Sequence, residues 1–250
     1  MAKERLQKIL SRSGYGSRRD CEKIIAKGRV YINQLQAKLG DSADPDKDKI
    51  LVDGKIIKNK PIKLTYIVFY KPKKVLSVIK KIDNRKVVSD YLPMEEYLFI
   101  VGRLDYESEG LILLTNDGDV ANKLTHPRYE HEKEYYIELT HPPDEEQLNI
   151  WRRGVVMEDG YRTLPARVEV VSSDKKKHWI KIVMREGKKR QIREIGKRIG
   201  LPVKRIIRTR IATIELGLLK PGEWHYLSSA EIAKLKEATE KGTNRVVEAG

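Results

Sequence analysis

The chain has little of several residue types and patterns, and each shortage excludes a class of protein. Cys21 is the single cysteine among 250 residues, so neither a disulfide framework nor a cysteine metal site is available. No apolar run approaches the roughly 18 residues of a membrane span. The opening MAKERLQKIL is charged from its third residue and lacks the apolar segment of a signal peptide. These shortages predict a cytoplasmic protein with no membrane association.

Familiar catalytic and cofactor motifs are missing too. The sequence has no Walker motif, no G-x-G-x-x-G after a strand and no H-E-x-x-H, and its five histidines include no pair four residues apart. Asp117 and Asp119 flank Gly118 without a downstream glutamate, which indicates a turn more than a calcium loop. The sequence therefore predicts no metal and no cofactor.

Positive charge is what the sequence has in excess. The net charge is +15, and two blocks more than account for it, with +6 over residues 1–29 and +12 over residues 171–210. One explanation of an excess of lysine and arginine is a solvated surface without a binding function. Two separate blocks, several of them arginine, instead favour a polyanionic partner, and nucleic acid ahead of an acidic membrane surface.

The first 60 residues predict a compact RNA-binding unit. Leu6, Ile9 and Leu10 repeat at helical spacing before a break at residues 13–16. Ser17 has the position of an N-cap for a second helix, and residues 30–32 read as a strand. The Asp53-Gly54 dipeptide predicts a hairpin over residues 50–57. Two basic helices and a few short strands follow from these signals.

From residue 66 onward the pattern is mainly that of strands. We predict helices at 143–153 and 191–199 and strands at 67–70, 97–101, 111–114, 133–139, 163–171, 178–184 and 203–216. By the period of two, Arg208 and Arg210 share one face of the last strand. The predicted fold class is α+β, with a small helix-rich N-terminal domain and a larger mixed, mainly antiparallel sheet flanked by helices.

Asp105 is the candidate for chemistry, within GRLDYESEGLILLTNDG at residues 102–118. An aspartate in a turn usually satisfies only local backbone groups. Here Arg103 precedes it, and the cationic run KKRQIR at 188–193 leads into a helix whose N-terminus attracts anions. Two other functions stay open from the residues alone. One is a non-catalytic RNA-binding factor, and the other is a metal-dependent RNA hydrolase using Asp105 with Glu107 or Glu109.

Several motifs, in order, resemble one family. They are LQKILSRSGYGSRRDCEKIIAKGRV at 6–30, YKP at 70–72, GRLDYESEGLILLTNDG, KEY at 133–135, EGKKRQIR at 186–193 and RIIRTRI at 205–211. Together they resemble the ribosomal RNA pseudouridine synthases that carry an N-terminal RNA-binding domain of the ribosomal-protein-S-four type. GRV, LGD near residue 40 and RGVVMEDG at 153–160 are most similar to the member acting on large-subunit RNA.

The resemblance implies roles for four residues. Asp105 matches the essential aspartate, and Arg103 matches the basic residue that fills the space left by a flipped uridine. Tyr135 matches the tyrosine that packs on the base, and Arg193 matches the arginine that pairs with the aspartate. Without the resemblance, Tyr135 reads as a half-buried strand residue and Arg193 as a surface charge. Lys74 departs from the family pattern, which often has glycine there.

The resemblance also implies domains and partners. The domains are RNA-binding at 1–60, a linker at 61–65, catalytic at 66–239 and a flexible tail at 240–250. The partner is ribosomal RNA or a pre-ribosomal particle, without a membrane or a small-molecule cofactor, and a monomer is expected. Besides Arg103, the predicted RNA contacts are Arg5, Lys8, Arg12, Arg18, Arg19, Lys23, Arg29, Lys189, Arg190, Arg208 and Arg210.

Overall fold

The computed structural model describes residues 3–57, 63–93, 97–172 and 177–248, and it divides into two units. The first unit contains the described residues up to Leu64 together with Tyr97 and Leu98. The second contains Thr65–Pro93 and the described residues from Phe99 onward. Most of the linker signal at Asn59-Lys60-Pro61 and its surroundings lies outside the described residues, so the domain limits given above stay a prediction.

The first unit combines two helices with six short strands among its described residues. In chain order these are β1 (Glu4–Arg5), α1 (Leu6–Arg12), α2 (Arg18–Ala26), β2 (Val30–Ile32), β3 (Leu35–Gln36), β4 (Ser42–Ala43), β5 (Ile50–Val52) and β6 (Lys55–Ile56). Strands β3, β2, β5 and β6 form an antiparallel sheet in that order, and β1 pairs with β4.

Local signals set these elements as the sequence predicted. The Ser17 hydroxyl accepts a hydrogen bond from the backbone N–H of Asp20 at 3.1 Å, which caps α2. Asp53 and Gly54 both have positive φ, at 50° and 75°, so the β5–β6 hairpin turns as the Asp-Gly pair requires. Leu6, Ile9 and Leu10 pack into a core that includes the buried Cys21. Burial raises the pKa of that thiol to about 11.

The second unit is built on one large sheet. Its strands are β7 (Tyr66–Lys71), β8 (Phe99–Val101), β9 (Glu109–Thr115), β10 (Lys133–Leu139), β11 (Arg167–Ser172), β12 (His178–Met184), β13 (Val203–Ile211), β14 (Ile214–Glu215) and β15 (Trp224–Tyr226). Its α-helices are α3 (Gly118–Thr125), α4 (Glu145–Arg153), α5 (Gln191–Arg198) and α6 (Ser229–Glu248), with 3₁₀ turns at Val88–Tyr91 and Pro127–Tyr129.

The strands pair in the order β11-β12-β10-β13-β9-β7-β15, with β14 added to β13 and β8 added to β9. Among these described strands, β9 with β13 is the one parallel pair, and the others are antiparallel. The predicted fold class is thus confirmed. All seven residues of β9 are buried, as its continuous apolar run indicates.

Gly110 makes the parallel contact between β9 and β13 possible. Its φ is +106°, and a Cβ at this position would lie 2.3 Å from the backbone oxygen of Arg208. No other residue can bring the two backbones this close. The end of the loop that carries Asp105 is therefore fixed against β13.

Three predicted elements differ from the structure. The strand predicted for 203–216 ends at Ile211, because Ala212 turns the chain with a φ of 50° and β14 folds back onto β13. The turn predicted at Asn116-Asp117-Gly118 starts helix α3, which Asp117 caps by accepting from the N–H groups of Asp119 and Val120. The strand predicted for 163–171 begins only at Arg167. Helix α6 extends to Glu248, and the flexibility of residues 240–250 stays a prediction. Within the described residues, no helix has the length and apolar character needed to cross a membrane.

Candidate active site

A cavity of 550 Å³ opens in the second unit. Its volume falls in the range of roughly 300–1,000 Å³ found for ligand sites. Three chain segments supply most of its wall, namely the loop 102–108, the stretch 125–135 and the stretch 184–193. Four residues assigned roles through the family resemblance line it together: Arg103, Asp105, Tyr135 and Arg193.

The loop that carries Asp105 is held by hydrogen bonds to its backbone. The Ser77 hydroxyl donates to the carbonyl of Leu104 at 2.6 Å and accepts from its N–H at 3.1 Å. The N–H of Ser108 donates to the carbonyl of Asp105 at 3.0 Å, which closes a turn. The Asp105 carboxylate stays exposed at the cavity and has no hydrogen-bond or ion-pair partner among the described residues. A fixed backbone thus presents a free carboxylate.

Tyr135 reaches the cavity from strand β10, where it is 6% exposed. It lies directly across the ladder from Arg208 of β13, and the two side chains interact. Arg208 is 1% exposed, and its guanidinium donates to the carbonyls of Gly102 at 2.6 Å and Leu111 at 2.8 Å. Arg208 therefore joins the backbone of the Asp105 loop to strands β9 and β13.

The period of two predicts that Arg208 and Arg210 share one face of β13, and the structure does not place them so. The register with β10 slips between Glu134 and Tyr135, so that Glu134 faces Arg210 while Tyr135 faces Arg208. The extra residue of this bulge, Thr209, places the two arginines on opposite faces. Arg210 is ion-paired with Glu132 at 3.2 Å and lies 3.8 Å from Glu134. Both guanidinium groups bond to partners within the protein, and contact of either with RNA stays a prediction.

Arg193 lies on the first turn of α5 and is half-buried. Its guanidinium donates to the carbonyl of Val203 at 3.1 Å and to that of Glu107 at 3.5 Å. The ion pair with Asp105 implied by the family resemblance is not formed among the described residues, although both side chains line the same cavity. The pairing stays a prediction.

The cationic stretch 188–193 is anchored by Glu186, which is buried. The Glu186 carboxylate accepts hydrogen bonds from the Tyr161 hydroxyl at 2.5 Å, the Leu164 N–H at 2.9 Å and the Gln191 amide at 2.5 Å. The hydrogen bond to Glu186 is the main cause that raises the pKa of Tyr161 to about 12. Lys188, Lys189 and Arg190 are thereby held exposed along the cavity wall.

The carboxylates required by the hydrolase alternative do not converge. Residues 106–107 form a turn, so the stretch from Asp105 to Glu109 is not extended. Glu109 is buried and accepts from Arg205 at 2.7 and 3.0 Å and from the Tyr70 hydroxyl at 3.1 Å. Burial alone would raise the pKa of Glu109, and the hydrogen bonds and charge of Arg205 outweigh it, so that pKa lies below its usual value.

The predicted RNA contacts of the first unit fall into two groups. Four are engaged within the unit: Arg5 donates to the Gly40 carbonyl, Lys8 and Arg12 lie 3.7 and 3.2 Å from Glu4, and Arg29 pairs with Asp53 at 2.5 Å. The others are exposed. Arg18 and Arg19 have no ion pair among the described residues, and the Lys23 side chain is 76% exposed at 3.9 Å from Asp20. Arg18 and Arg19, the two exposed cations without an ion pair among these residues, lie at the start of α2.

Sequence reasoning gave no role to Ser77, Glu186 or Lys133. The first two act through hydrogen bonds to distant segments, for which the sequence carries no signal. Lys133 could have been found, because it precedes Tyr135 by two residues on a predicted strand and so lies on the same face. It lines the cavity.

Comparisons with known proteins agree on one family. The sequence profile of RNA pseudouridylate synthases matches residues 65–195, and that of the S4 domain matches residues 4–45. The chain is 37% identical over 246 residues to the ribosomal large subunit pseudouridine synthase B of Bacillus subtilis, covering 96% of this chain and 99% of the relative. It is also 37% identical over 241 residues to an uncharacterized RNA pseudouridine synthase of Aquifex aeolicus, covering 95% of this chain and 96% of the relative.

A solved structure shares the fold. A crystal structure of a pseudouridylate synthase superposes with a TM-score of 0.67 at 24% identity, and the match covers 94% of this chain and all of the other.

Proposed function

The chain belongs to the RNA pseudouridylate synthase family, and from that membership we propose that it converts a specific uridine of large-subunit ribosomal RNA to pseudouridine with Asp105 as its catalytic carboxylate. Such a reaction is an isomerisation. The N1–C1′ bond breaks, C5 bonds to C1′ in its place, and the ring loses the C5 proton while N1 gains one. The single observation that carries the proposal is the shared cavity of Arg103, Asp105, Tyr135 and Arg193.

Asp105 has the character that this chemistry needs. Cleavage of the glycosidic bond develops positive charge on the sugar, and an adjacent carboxylate stabilises it whether it attacks C1′ or removes the C2′ proton. The Asp105 carboxylate has no competing partner among the described residues, and its backbone is fixed by Ser77. It is therefore available to a ribose that enters the cavity.

The uridine has to leave its stack to reach that carboxylate. Extruding a nucleotide costs a few kcal/mol, and an arginine can offset this by stacking in the vacated space while its charge meets phosphate. Arg103 is exposed two residues before Asp105, which suits it to that role. Tyr135 would pack on the everted base, and Arg193 would pair with Asp105 once RNA displaces its present contacts.

Binding of the RNA outside the cavity falls to exposed cations. The S4 domain offers Arg18, Arg19 and Lys23, and the cavity wall offers Lys189 and Arg190. Phosphate contacts of this kind supply affinity and register, and base contacts supply sequence information. The large-subunit substrate is proposed from the relative in Bacillus subtilis, whose name assigns it that RNA.

Tritium release tests the proposed function. Large-subunit and small-subunit rRNA transcripts labelled at uridine C5 are incubated with the protein in the presence of EDTA. A synthase releases tritium from an intact large-subunit strand. We expect Asp105→Asn to lower that rate at least about a thousandfold, while RNA affinity stays within about threefold, because phosphate contacts dominate binding.

Glu107→Gln is the matched control, because Glu107 is exposed two residues from Asp105 and does not line the cavity. Its tritium release should equal that of the wild type. Cut RNA whose formation requires a metal ion would instead identify a hydrolase, and binding without either product would identify a non-catalytic factor. Full turnover by Asp105→Asn would refute the assignment of Asp105.

A further inference from the structure

Lys133 is a cation that faces the cavity without a matching anion. It begins strand β10, and the regular pairing of β10 with β12 places Lys133 and Tyr135 on the same face. Both residues line the cavity that contains Asp105. Lys133 is half-buried, although a lysine at a strand end can usually extend into water. The Lys133 side chain therefore lies against the cavity wall and does not extend into bulk water.

The hydrogen-bonding capacity of Lys133 is mostly unused. A lysine ammonium has three donors and no acceptor. One donor bonds the carbonyl of His131 at 3.1 Å. Within the described part of the chain the ammonium forms no ion pair, so up to two donors remain for a ligand.

Burial and a neighbouring positive charge both disfavour the charged form of Lys133. Burial, together with the nearby charge of Arg208, lowers the pKa of Lys133 to about 8, although Glu186 opposes the shift. Glu186 already accepts hydrogen bonds from Tyr161, Leu164 and Gln191 and forms no ion pair with Lys133 among the described residues. A half-buried ammonium that lies beside a guanidinium and has no ion-pair partner is stabilised when an anion binds.

We propose, on the basis of the proposed function, that Lys133 binds an anionic or electron-rich oxygen of the target nucleotide inside the cavity. Two parts of the nucleotide carry such an oxygen. One is the phosphate group beside the everted uridine. The other is a uracil carbonyl oxygen, which gains negative charge when the N1–C1′ bond breaks and its electron pair stays on the ring.

Kinetics distinguish these two sources. A phosphate contact exists in both the ground state and the transition state, so its loss raises KM and leaves kcat unchanged. A contact with the departing uracil strengthens only as the bond breaks, so its loss lowers kcat. Either way kcat/KM falls.

The experiment compares Lys133→Met and Lys133→Arg with the wild type in the tritium assay on rRNA. We expect Lys133→Met to lower kcat/KM at least about tenfold, while Lys133→Arg, which keeps a donor and a charge, stays within about threefold of the wild type. Lys181→Met is the matched control. Lys181 lies on the neighbouring strand opposite Tyr136, on the other face of the sheet, and pairs with Glu169 at 2.8 Å. Its kcat/KM should not change.

Stability separates a binding role from a structural one. Because Lys133→Met removes a half-buried charge that has no ion-pair partner, we expect its midpoint of urea unfolding to equal or exceed that of the wild type. A kcat/KM within twofold of the wild type would overturn the proposal. So would a loss of activity that follows a loss of stability and that Lys133→Arg fails to restore.

Failure of the proposed function gives a different pattern. A wild-type protein that releases no tritium refutes the synthase assignment. In that case the affinity of Lys133→Met for the same rRNA, set against Lys181→Met, decides the inference: weaker binding supports it and equal binding overturns it.

Discussion

Two neighbouring regions of the second unit carry similar positive charge, but one exposes it to solvent and the other binds it within the protein. In the loop 186–193, Lys188, Lys189 and Arg190 are exposed along the cavity wall. In strand β13, the guanidinium groups of Arg205, Arg208 and Arg210 bond to Glu109, to backbone carbonyls and to Glu132. The loop is held in place by the Gln191 side chain, which accepts from the Lys188 N–H and donates to the Glu186 carboxylate, so its cationic side chains are left to extend outward.

This difference shows that a basic block in a sequence is not a count of RNA contacts. A strand inside a sheet has carboxylates and strand-end carbonyls on both sides, and a long arginine reaches them. A loop at a cavity has fewer such neighbours. The same division occurs in the S4 domain, where Arg29 pairs with Asp53 while Arg18 and Arg19 stay exposed.

The largest effect should come from the arginine at the centre of β13. Arg208→Met leaves the carbonyls of Gly102 and Leu111 without their donor, and we expect the free energy of unfolding to fall by about 2–5 kcal/mol. Arg210→Met should lower it by about 1 kcal/mol or less, because Arg210 is more exposed and Glu132 keeps Arg167. Urea denaturation measures both. If Arg208→Met kept the free energy of unfolding of the wild type and lost only RNA affinity, Arg208 would act like the exposed cations of loop 186–193. The contrast between β13 and that loop would then be wrong.

An intermediate effect should come from the exposed cations. The pair Lys189→Gln with Arg190→Gln removes two charges from the loop, and the pair Arg18→Gln with Arg19→Gln removes two from α2. For each pair we expect RNA affinity to fall about tenfold or more and the salt slope to decrease by about 1.5. Filter binding across a salt series measures the slope. Arg29→Gln, which removes a cation already paired with Asp53, is the control and should leave the slope nearly unchanged.

The smallest effect concerns backbone strain. Two loop residues outside β13 have a strained backbone, one after β7 and one in loop 186–193. Lys74 and Arg190 have φ values of 61° and 57°, in the left-handed region. Lys74→Gly should raise the free energy of unfolding by about 0.5 kcal/mol, because relief of strain exceeds the greater freedom of unfolded glycine. Lys73→Gly, at an adjacent position without positive φ, should lower it, and this variant also loses the ion pair of Lys73 with Glu109 at 3.6 Å. A loss of stability in Lys74→Gly would show that the strain at Lys74 is smaller than the entropy cost of glycine.

Short-range features of this protein could be predicted well from the sequence. The Ser17 cap, the Asp53-Gly54 hairpin, the buried strand β9 and helix α5 each depend on residues a few positions apart. The segment around Asp105 and the run 186–193 were singled out by residue type and order, and the structure places both on one cavity. The roles of these residues stay a prediction.

What the sequence alone determined, then, is where helices, hairpins and charge blocks occur, because caps, turns and periodicity act within one or two turns of chain. Only the tertiary structure decided which charges are free. The face of Arg208 depends on the slip of register against β10, and the exposure of Lys189 depends on a carboxylate three residues earlier that holds Tyr161 from another segment. Strand register and ion pairing are set by partners far along the chain, and a local pattern contains no information about them.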